Sequence, residues 1–581
     1  MKKNTLFALL MTFSVFNAVA QDGAVIKLVN PLKSENNVSS SRQFIIGSTC
    51  KTCSISINDQ SVKVYSTGAF ALTLDLKQGD TTFNIVSNSA NGKSVSKKIS
   101  FNYKLPAPAD TVKTVAIAGI QTFPEGNLVL QPGDVIRFKV KALPGSNITV
   151  LNNTPLYEMP VSQSGGMPGI YQGEYVIRQN DVFAASKMTV TLVAPDGQRA
   201  TKETGNTFAV MSPLSSDVAI TKGRLAHLEY GLGDDRLGGA KIGYLDSNIL
   251  LKVIGKVGPD FKIKLADNKT AYIPDDLVSL MPKGTFAATS LTGQWRVYGD
   301  SAYDYVTVGL SARLPYQSIQ QINPSRIVVD VFGATNNTNW ITQLENAKEV
   351  ANVDYEQVQN DIFRITIQLK HQQHWGHQIY YRGNLLVIKI KQQPKDLSLK
   401  NLTIAIDAGH GGSNTGAGGA TGSSEKALAL AVTLKLQKAL QAEGAKVLMT
   451  RTTEKFVDNK ERILLFRDTP PDLLVSIHLN SAVDPFNAGG TSSLYRYVGF
   501  RPLSFYINKR MLELGLKEYG NIGSFNFMLN SPTEYPNALV ETLFISNLEE
   551  EALILDEGFQ QRMAEKIVLG VKDFLAAAGS N

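Results

Sequence analysis

Up to about residue 394 the chain runs in short apolar stretches broken by turn residues. Phe44-Ile45-Ile46, Ser54-Ile55-Ser56-Ile57, Val62-Lys63-Val64-Tyr65 and Phe83-Asn84-Ile85-Val86 read as strands, with turn signals at Gly68, Gly79-Asp80 and Asn91-Gly92. Ile136 to Val140, Met188 to Val193, Ile249 to Val257, Phe261 to Leu265, Tyr305 to Leu310, Ser325 to Phe332, Phe363 to Leu369 and Leu385 to Ile390 continue the pattern. After Pro394 the period changes. Apolar strands at Leu402–Ile406, Val447–Met449, Leu473–Ile477, Ser492–Val498 and Ala538–Phe544 alternate with helices at Glu425–Glu443, Lys460–Arg467, Leu503–Leu516 and Phe559–Ala577. In the first helix Leu428, Val432, Leu436 and Leu440 recur every fourth residue on one face, and Gly444 is placed to end it. The pattern predicts several all-β modules followed by one α/β domain.

Composition agrees and narrows the choice. With 581 residues, 43% hydrophobic and 19% charged, the chain is globular and multidomain, not disordered and not fibrous. The N-terminus reads as an export signal: Lys2-Lys3, an apolar run from Leu6 to Val15, then Ala18-Val19-Ala20 before Gln21. The apolar run is too short to span a bilayer, and no second long one follows, so no transmembrane segment is expected in the mature chain. Removing Lys2 and Lys3 leaves 56 basic against 51 acidic residues, a net +5 from the full chain's 58 and 51. So weak an excess does not point to nucleic acid. An exported chain, periplasmic in preference to secreted, is the expectation.

The two cysteines, Cys50 and Cys53, stand between strand-like runs. In an exported chain this C-x-x-C is expected to be a structural disulfide closing a hairpin turn, because no βαβ context suggests redox catalysis.

Several upstream stretches resemble known modules. Residues 21–105, with Gly68-Ala69-Phe70, resemble bacterial immunoglobulin-like sandwiches, and residues 106–216 read as a second sandwich after a linker at Pro106 and Pro108. Residues 217–285, with Ala271-Tyr272-Ile273-Pro274, resemble an SH3-like barrel, and residues 286–394 resemble the AMIN domain that precedes many cell-wall amidases. That last resemblance implies peptidoglycan binding or targeting to the division site.

Chemistry concentrates in residues 395–581. Of six histidines, His410 follows a strand in Asp407-Ala408-Gly409-His410-Gly411-Gly412, and His478 ends one in Ser476-Ile477-His478-Leu479-Asn480. Both sit at strand carboxyl ends, where α/β folds place their sites. Glu425 opens the first helix, with Ser423 or Ser424 as its cap. Two His and one Glu suit catalytic zinc with a position left for water. Glu541, inside the apolar run Ala538–Phe544, needs a partner, and a water to deprotonate would be one. Taken singly, His410 reads as a capping or buried histidine, Glu425 as a helix N-terminal charge and His478 as a strand-end hydrogen bonder. A second cluster, His371, His374 and His377, looks like a metal box but lies between two strands, is expected to have no carboxylate nearby, and reads as a polar loop.

Taken together, the C-terminal motifs resemble the zinc-dependent N-acetylmuramoyl-L-alanine amidases of the amidase 3 family. They are Ile406 to Gly412, Gly416-Ala417, Ser424-Glu425-Lys426, Thr450-Arg451, Ser476 to Asn480 and Leu539 to Asn547, in the family's order. The resemblance implies zinc on His410, Glu425 and His478, with Glu541 as the catalytic carboxylate. Asn480, Arg451 and Arg462 are the substrate-contact candidates. Two departures stand out: Asn414 where an acidic residue is common, and an Arg and Ala-Asn block reduced to Arg462 followed by Leu464-Leu465-Phe466-Arg467. The substrate implied is peptidoglycan, cut between N-acetylmuramic acid and L-alanine. A non-catalytic wall-binding scaffold and a zinc peptidase of the stem peptide are the alternatives. Some division relatives carry an added helix between the second histidine and the glutamate that plugs the site. Here the 541 − 478 = 63 positions leave little room for one, and Gly515 to Asn537 reads as loop. The site is expected open, residues 398–581 are expected to act alone, and the upstream modules to serve access to the polymer.

Overall fold

The computed structural model describes residues 23–105, 111–211, 217–233 and 237–580. The export segment and the prolines Pro106 and Pro108 lie outside the described residues. The chain forms two compact units, one ending at Leu105 and taking in Gly419–Gly422, the other holding Pro106–Gly418 and Ser423–Asn581. It is mostly β, and among the described residues no helix is long and apolar enough to cross a membrane.

In the first unit, Lys27–Asn30, Arg42–Ser48 and Ala69–Asp75 form one sheet. Glu35–Val38, Ser54–Ile57, Gln60–Val62, Gly79–Asn88 and Ser94–Tyr103 form the other. The alternating apolar positions of both meet in a core of Ile45, Ile55, Phe70, Ile85 and Phe101. Burying each such side chain contributes about 1.5–3 kcal/mol. Cys50 and Cys53 are disulfide-bonded, with Cα atoms 5.1 Å apart. The turn they staple is not a hairpin, because the strands on either side, Arg42–Ser48 and Ser54–Ile57, belong to different sheets. Gly68 has φ +86°, and a Cβ there would lie 2.3 Å from the Thr49 carbonyl oxygen, so only glycine fits this turn.

In the second unit the sequence-based module boundaries are less distinct than expected. Strands between Ile117 and Glu203 make a seven-stranded antiparallel sheet. Leu128–Leu130 and Phe208–Val210 leave it, and Leu128 pairs with Val257 in the sheet of the following segment. One buried apolar cluster then runs from Ala219 to Ile390, across the expected boundary between 285 and 286. A continuous core cannot be divided by reading strand runs alone.

Residues 295–391 form two sheets. Tyr316–Ile322, Ser325–Phe332, Val350–Gln359 and Ile362–Leu369 make one, and Trp295–Gly299, Tyr303–Val308, Ile341–Gln343, His377–Arg382 and Leu385–Lys391 the other. The histidine-rich stretch connects these sheets and is no polar loop. His374 and His377 are 1% and 2% exposed. His371 does have a carboxylate, with Nδ1 2.7 Å from Glu349 Oε2. The stretch seals the junction to the C-terminal domain: Gln373 donates to the Gly499 carbonyl at 2.8 Å, His377 N–H to Thr533 at 2.7 Å, and Trp375 packs on Phe574.

The C-terminal elements, numbered within this domain, are β1 (Thr403–Ala408), α1 (Glu425–Ala442), β2 (Lys446–Met449), α2 (Asn459–Asp468), β3 (Leu473–Asn480), β4 (Thr491–Leu494), α3 (Arg501–Leu512), β5 (Glu518–Ile522), β6 (Asn537–Phe544), α4 (Leu548–Ile554) and α5 (Glu557–Gly579). Sheet order is β2-β1-β3-β6-β4-β5. The first four strands are parallel, and β4 runs antiparallel to β6. Leu428, Val432, Leu436 and Leu440 of α1 are buried in the domain core, and Gly444 at φ +86° ends the helix as expected. The unexpected element is β5, whose Tyr519-Gly520-Asn521 reads as a turn yet pairs along β4 at the sheet edge.

Burial keeps two histidines neutral, which fixes a pH dependence. Desolvation pushes the His374 imidazole down to about 4, and with the neighbouring His374 it pushes His377 down to about 3. In the unfolded chain both titrate near about 6.5. Protons therefore bind the unfolded state first, and stability present at neutral pH is lost as pH falls below that value, by about 1.4 kcal/mol per pH unit for each histidine. Urea unfolding followed by tryptophan fluorescence between pH 7 and 5 should show a falling midpoint. In His377→Gln the fall should be shallower; equal slopes would reject the account.

Candidate active site

Strand register places the chemistry. β1 and β3 are adjacent and parallel, so the loop after Ala408 and the end of β3 emerge side by side. β6 lies next to β3, and Glu541 is the register partner of His478. His478 lies inside β3 and not at its end, since the strand continues to Asn480.

Glu425 is the hub. Its Oε1 is 3.0 Å from His410 Nε2 and 3.0 Å from His478 Nδ1, and accepts the Leu479 N–H at 3.0 Å. Its Oε2 accepts the Ala417 N–H at 2.8 Å. The residue is 4% exposed. Burial opposes its charge, yet hydrogen bonds from His410 and His478 hold the carboxyl well below the usual carboxylate range. Burial alone would lower the His478 imidazole, but its hydrogen bond to Glu425 and that carboxylate's charge raise it. Neither serine supplies a side-chain cap to α1: the first amides, of Glu425 and Lys426, bond the Ala417 and Thr415 carbonyls, while Ser423 donates to Glu551. The glycine-rich loop itself caps the helix and thereby closes over its first residue.

Two glycines permit this crowding. A Cβ at Gly409 would stand 2.5 Å from the His478 ring, and one at Gly416 2.5 Å from Glu425 Oε2. Asn414, where an acidic residue was noted as commoner, keeps the orienting role: its Oδ1 lies 2.9 Å from His410 Nδ1. An amide oxygen there accepts the Nδ1 proton, so that with a metal bound Nε2 would be the nitrogen that ligates it, in place of its hydrogen bond to Glu425.

Arg451 and Arg462, expected at the substrate, are instead consumed by the backbone of this loop. Arg451 is 1% exposed and donates to the carbonyls of Ala408, Gly409, Lys426 and Thr453. Arg462 is 2% exposed, pairs with buried Asp407, and donates to Ala408 and His410 carbonyls at 2.7 and 2.6 Å. Asp407 also accepts from Thr450 and Ser476. Desolvation raises the Asp407 carboxyl, but Arg462 and His478 outweigh it and hold it low.

Among the described residues, His410, Glu425 and His478 are the one group of three or more His, Cys, Asp or Glu side chains whose donor atoms could hold a metal, all within 4.8 Å of one another. The histidine trio 371–377 forms no such group. The three side chains open on a cavity of about 580 Å³ that Glu541 and Asn480 also line. Two nitrogens and one carboxylate oxygen match the zinc donor set.

Sequence reading missed the opposite wall. Phe525, Asn526 and Phe527 line the cavity, with Phe527 edge-on to His478 at 5.7 Å, as do Leu237 and Lys241 from far upstream. The aromatic pair within a Gly- and Asn-rich stretch was the available signal; Lys241 had none.

Two segments of the chain match known families. Residues 404–573 match the family model for N-acetylmuramoyl-L-alanine amidase, and residues 295–397 match that for the AMIN domain. The chain is 33% identical over 199 residues to the probable cell wall amidase LytH of Staphylococcus aureus, 34% of this chain and 66% of that protein. It thus covers just under two thirds of the length of these curated relatives. Among solved structures, the catalytic domain of the amidase CwlV from Bacillus (Paenibacillus) polymyxa is 31% identical, covering 30% of this chain and 98% of that one, at a TM-score of 0.29. An amidase from Clostridium difficile 630 is 30% identical, covering 30% and 97%, also at 0.29.

The buried Asp407–Arg462 pair should behave as a coupled unit. Arg462→Met leaves a desolvated carboxylate and should cost about 3–5 kcal/mol. Adding Asp407→Asn should restore part of that loss, measured as a positive coupling in a denaturation double-mutant cycle. Additive losses would show that the two groups do not stabilise each other.

Proposed function

We propose that this protein hydrolyses the amide between N-acetylmuramic acid and L-alanine in peptidoglycan, with zinc held by His410, Glu425 and His478. The observation that carries the reading is the convergence of those three donors on one cavity, with Glu541 opposite His478 in register. Zinc bound there supplies a Lewis acid for an amide carbonyl and for water. The protein's own groups do the rest. Glu541 takes a proton from the attacking water and delivers it to the nitrogen as the carbon–nitrogen bond breaks, leaving a lactyl carboxylate and a peptide with a free N-terminal alanine. Asn414 orients His410, and Leu479 and Ala417 amides orient Glu425, so the ligands keep their geometry through the cycle. Asn480 stands at the cavity wall as a substrate contact.

The rest of the chain fits an exported cell-wall enzyme. We read residues 21–105 and 106–216 as immunoglobulin-like sandwiches, 217–285 as an SH3-like barrel, and 286–394 as the AMIN-like module that brings the catalytic domain, 395–581, to the wall. Residues 1–20 serve as the signal peptide, and the periplasm is the proposed location.

Mass spectrometry of digested muropeptides tests the reaction. Peptides with free N-terminal alanine and intact sugars are expected; cuts within the stem peptide would replace the amidase reading with a peptidase. The metal assignment has its own readout. His410→Ala and His478→Ala should lose both zinc, by elemental analysis, and activity. Glu541→Gln should retain zinc and melting temperature while kcat falls by about 10²–10⁴-fold. Parent-level turnover in that variant would mean that another group moves the proton.

A further inference from the structure

The upstream segment reaches into the cavity. Leu237 and Lys241, the latter opening the strand Lys241–Tyr244, line the cavity together with Phe525, Asn526 and Phe527. Asn526 joins the two stretches. Its Nδ2 donates to the Gly239 carbonyl at 2.8 Å, and its Oδ1 accepts the Lys241 N–H at 3.1 Å. Arg496 closes the clasp, donating to Asn526 Oδ1 at 2.5 Å and to the Lys241 carbonyl. An asparagine side chain used in this way replaces a strand neighbour, binding another segment's donor and acceptor at once. Lys241 is thus fixed at both its amide and its carbonyl, and it also pairs with Glu229 as a strand partner.

Lys241 is in an unusual position. The residue is 7% exposed and lines the same cavity as His410, Glu425, His478 and Glu541. Lysine is almost never buried without a partner. Among the described residues it makes no ion pair; Glu229 is the opposite charge nearby, and Arg496 is a like charge. Burial pushes its ammonium below the usual lysine range. A cation kept at such cost in the wall of a substrate cavity suits an anionic group on the substrate.

We propose that Lys241, held by the Asn526–Arg496 clasp, is a specificity-determining residue that receives a free carboxylate on the peptide side of the scissile amide. This rests on the amidase reading above. Residues 217–285 are then part of the active site and more than a tether, in contrast to the expectation that residues 398–581 act alone. The carboxylate nearest the cut in a stem peptide belongs to the residue after L-alanine, and replacing it with an amide removes the charge while keeping the shape.

The test uses the zinc-loaded full mature chain and two soluble probes, N-acetylmuramoyl-L-alanyl-D-glutamate and its D-isoglutamine counterpart. The parent should favour the glutamate probe by about tenfold or more in kcat/KM, the range of one charge-assisted hydrogen bond. Lys241→Met should raise KM for the glutamate probe about tenfold, leave kcat within a factor of about two, and leave the amidated probe unchanged. Lys241→Arg should restore most of the preference, and Asn526→Ala should weaken it through KM. If Lys241→Met fails to fold, Lys241→Gln and Lys241→Arg carry the comparison. Equal losses on both probes, or an undiminished preference without the lysine, overturn the specificity role while leaving the amidase reading intact. If the parent cleaves neither probe, both fall.

Discussion

The C-terminal domain is organised around keeping two desolvated carboxylates ionised. Asp407 and Glu425 are 1% and 4% exposed, and each would take up a proton in such surroundings without compensating charge and hydrogen bonds. Asp407 is compensated by Arg462, Thr450 and Ser476. Glu425 is compensated by two imidazoles and two backbone amides. The loop between β1 and α1 exists in its observed form because these partners converge on it. Arg451 and Arg462 tie down its carbonyls, and the loop returns the constraint by capping α1 with its own backbone. Residues that look like substrate contacts in a linear reading are the frame of the loop that carries His410.

The same economy joins the domains of the second unit. Residues 371–377 look like a metal cluster, but two of the histidines are neutral, buried groups at the junction with the C-terminal domain. Trp375, from the same stretch, fills a place in that domain's core. The apolar cluster from Ala219 to Ile390 is continuous, and Lys241 and Leu237 complete a wall of the cavity lined by His410, Glu425 and His478. The cavity is assembled from stretches far apart in the chain, and Phe525, Phe527 and Lys241 line it where the sequence suggested only an open groove.

What the sequence determined by itself was local in origin. Hydrophobic period marked the change from β modules to alternating strands and helices at Pro394, because side-chain direction follows backbone period. His410 and Glu425 were legible because a strand end and a helix start are short-range features, His478 was legible through its motif although it lies inside its strand, and the motif order carried the amidase resemblance. Glu541 was legible as a charge inside an apolar strand. The tertiary structure decided the rest. Arg462 became a partner of Asp407 only when α2 was laid beside β1. β5 became a strand only because β4 offered an edge to its otherwise turn-like residues. Lys241 meets Asn526 across 285 positions of sequence, and Gln373 meets Gly499 across 126. Such contacts leave no periodic trace, since each depends on two surfaces that come together only after both have folded.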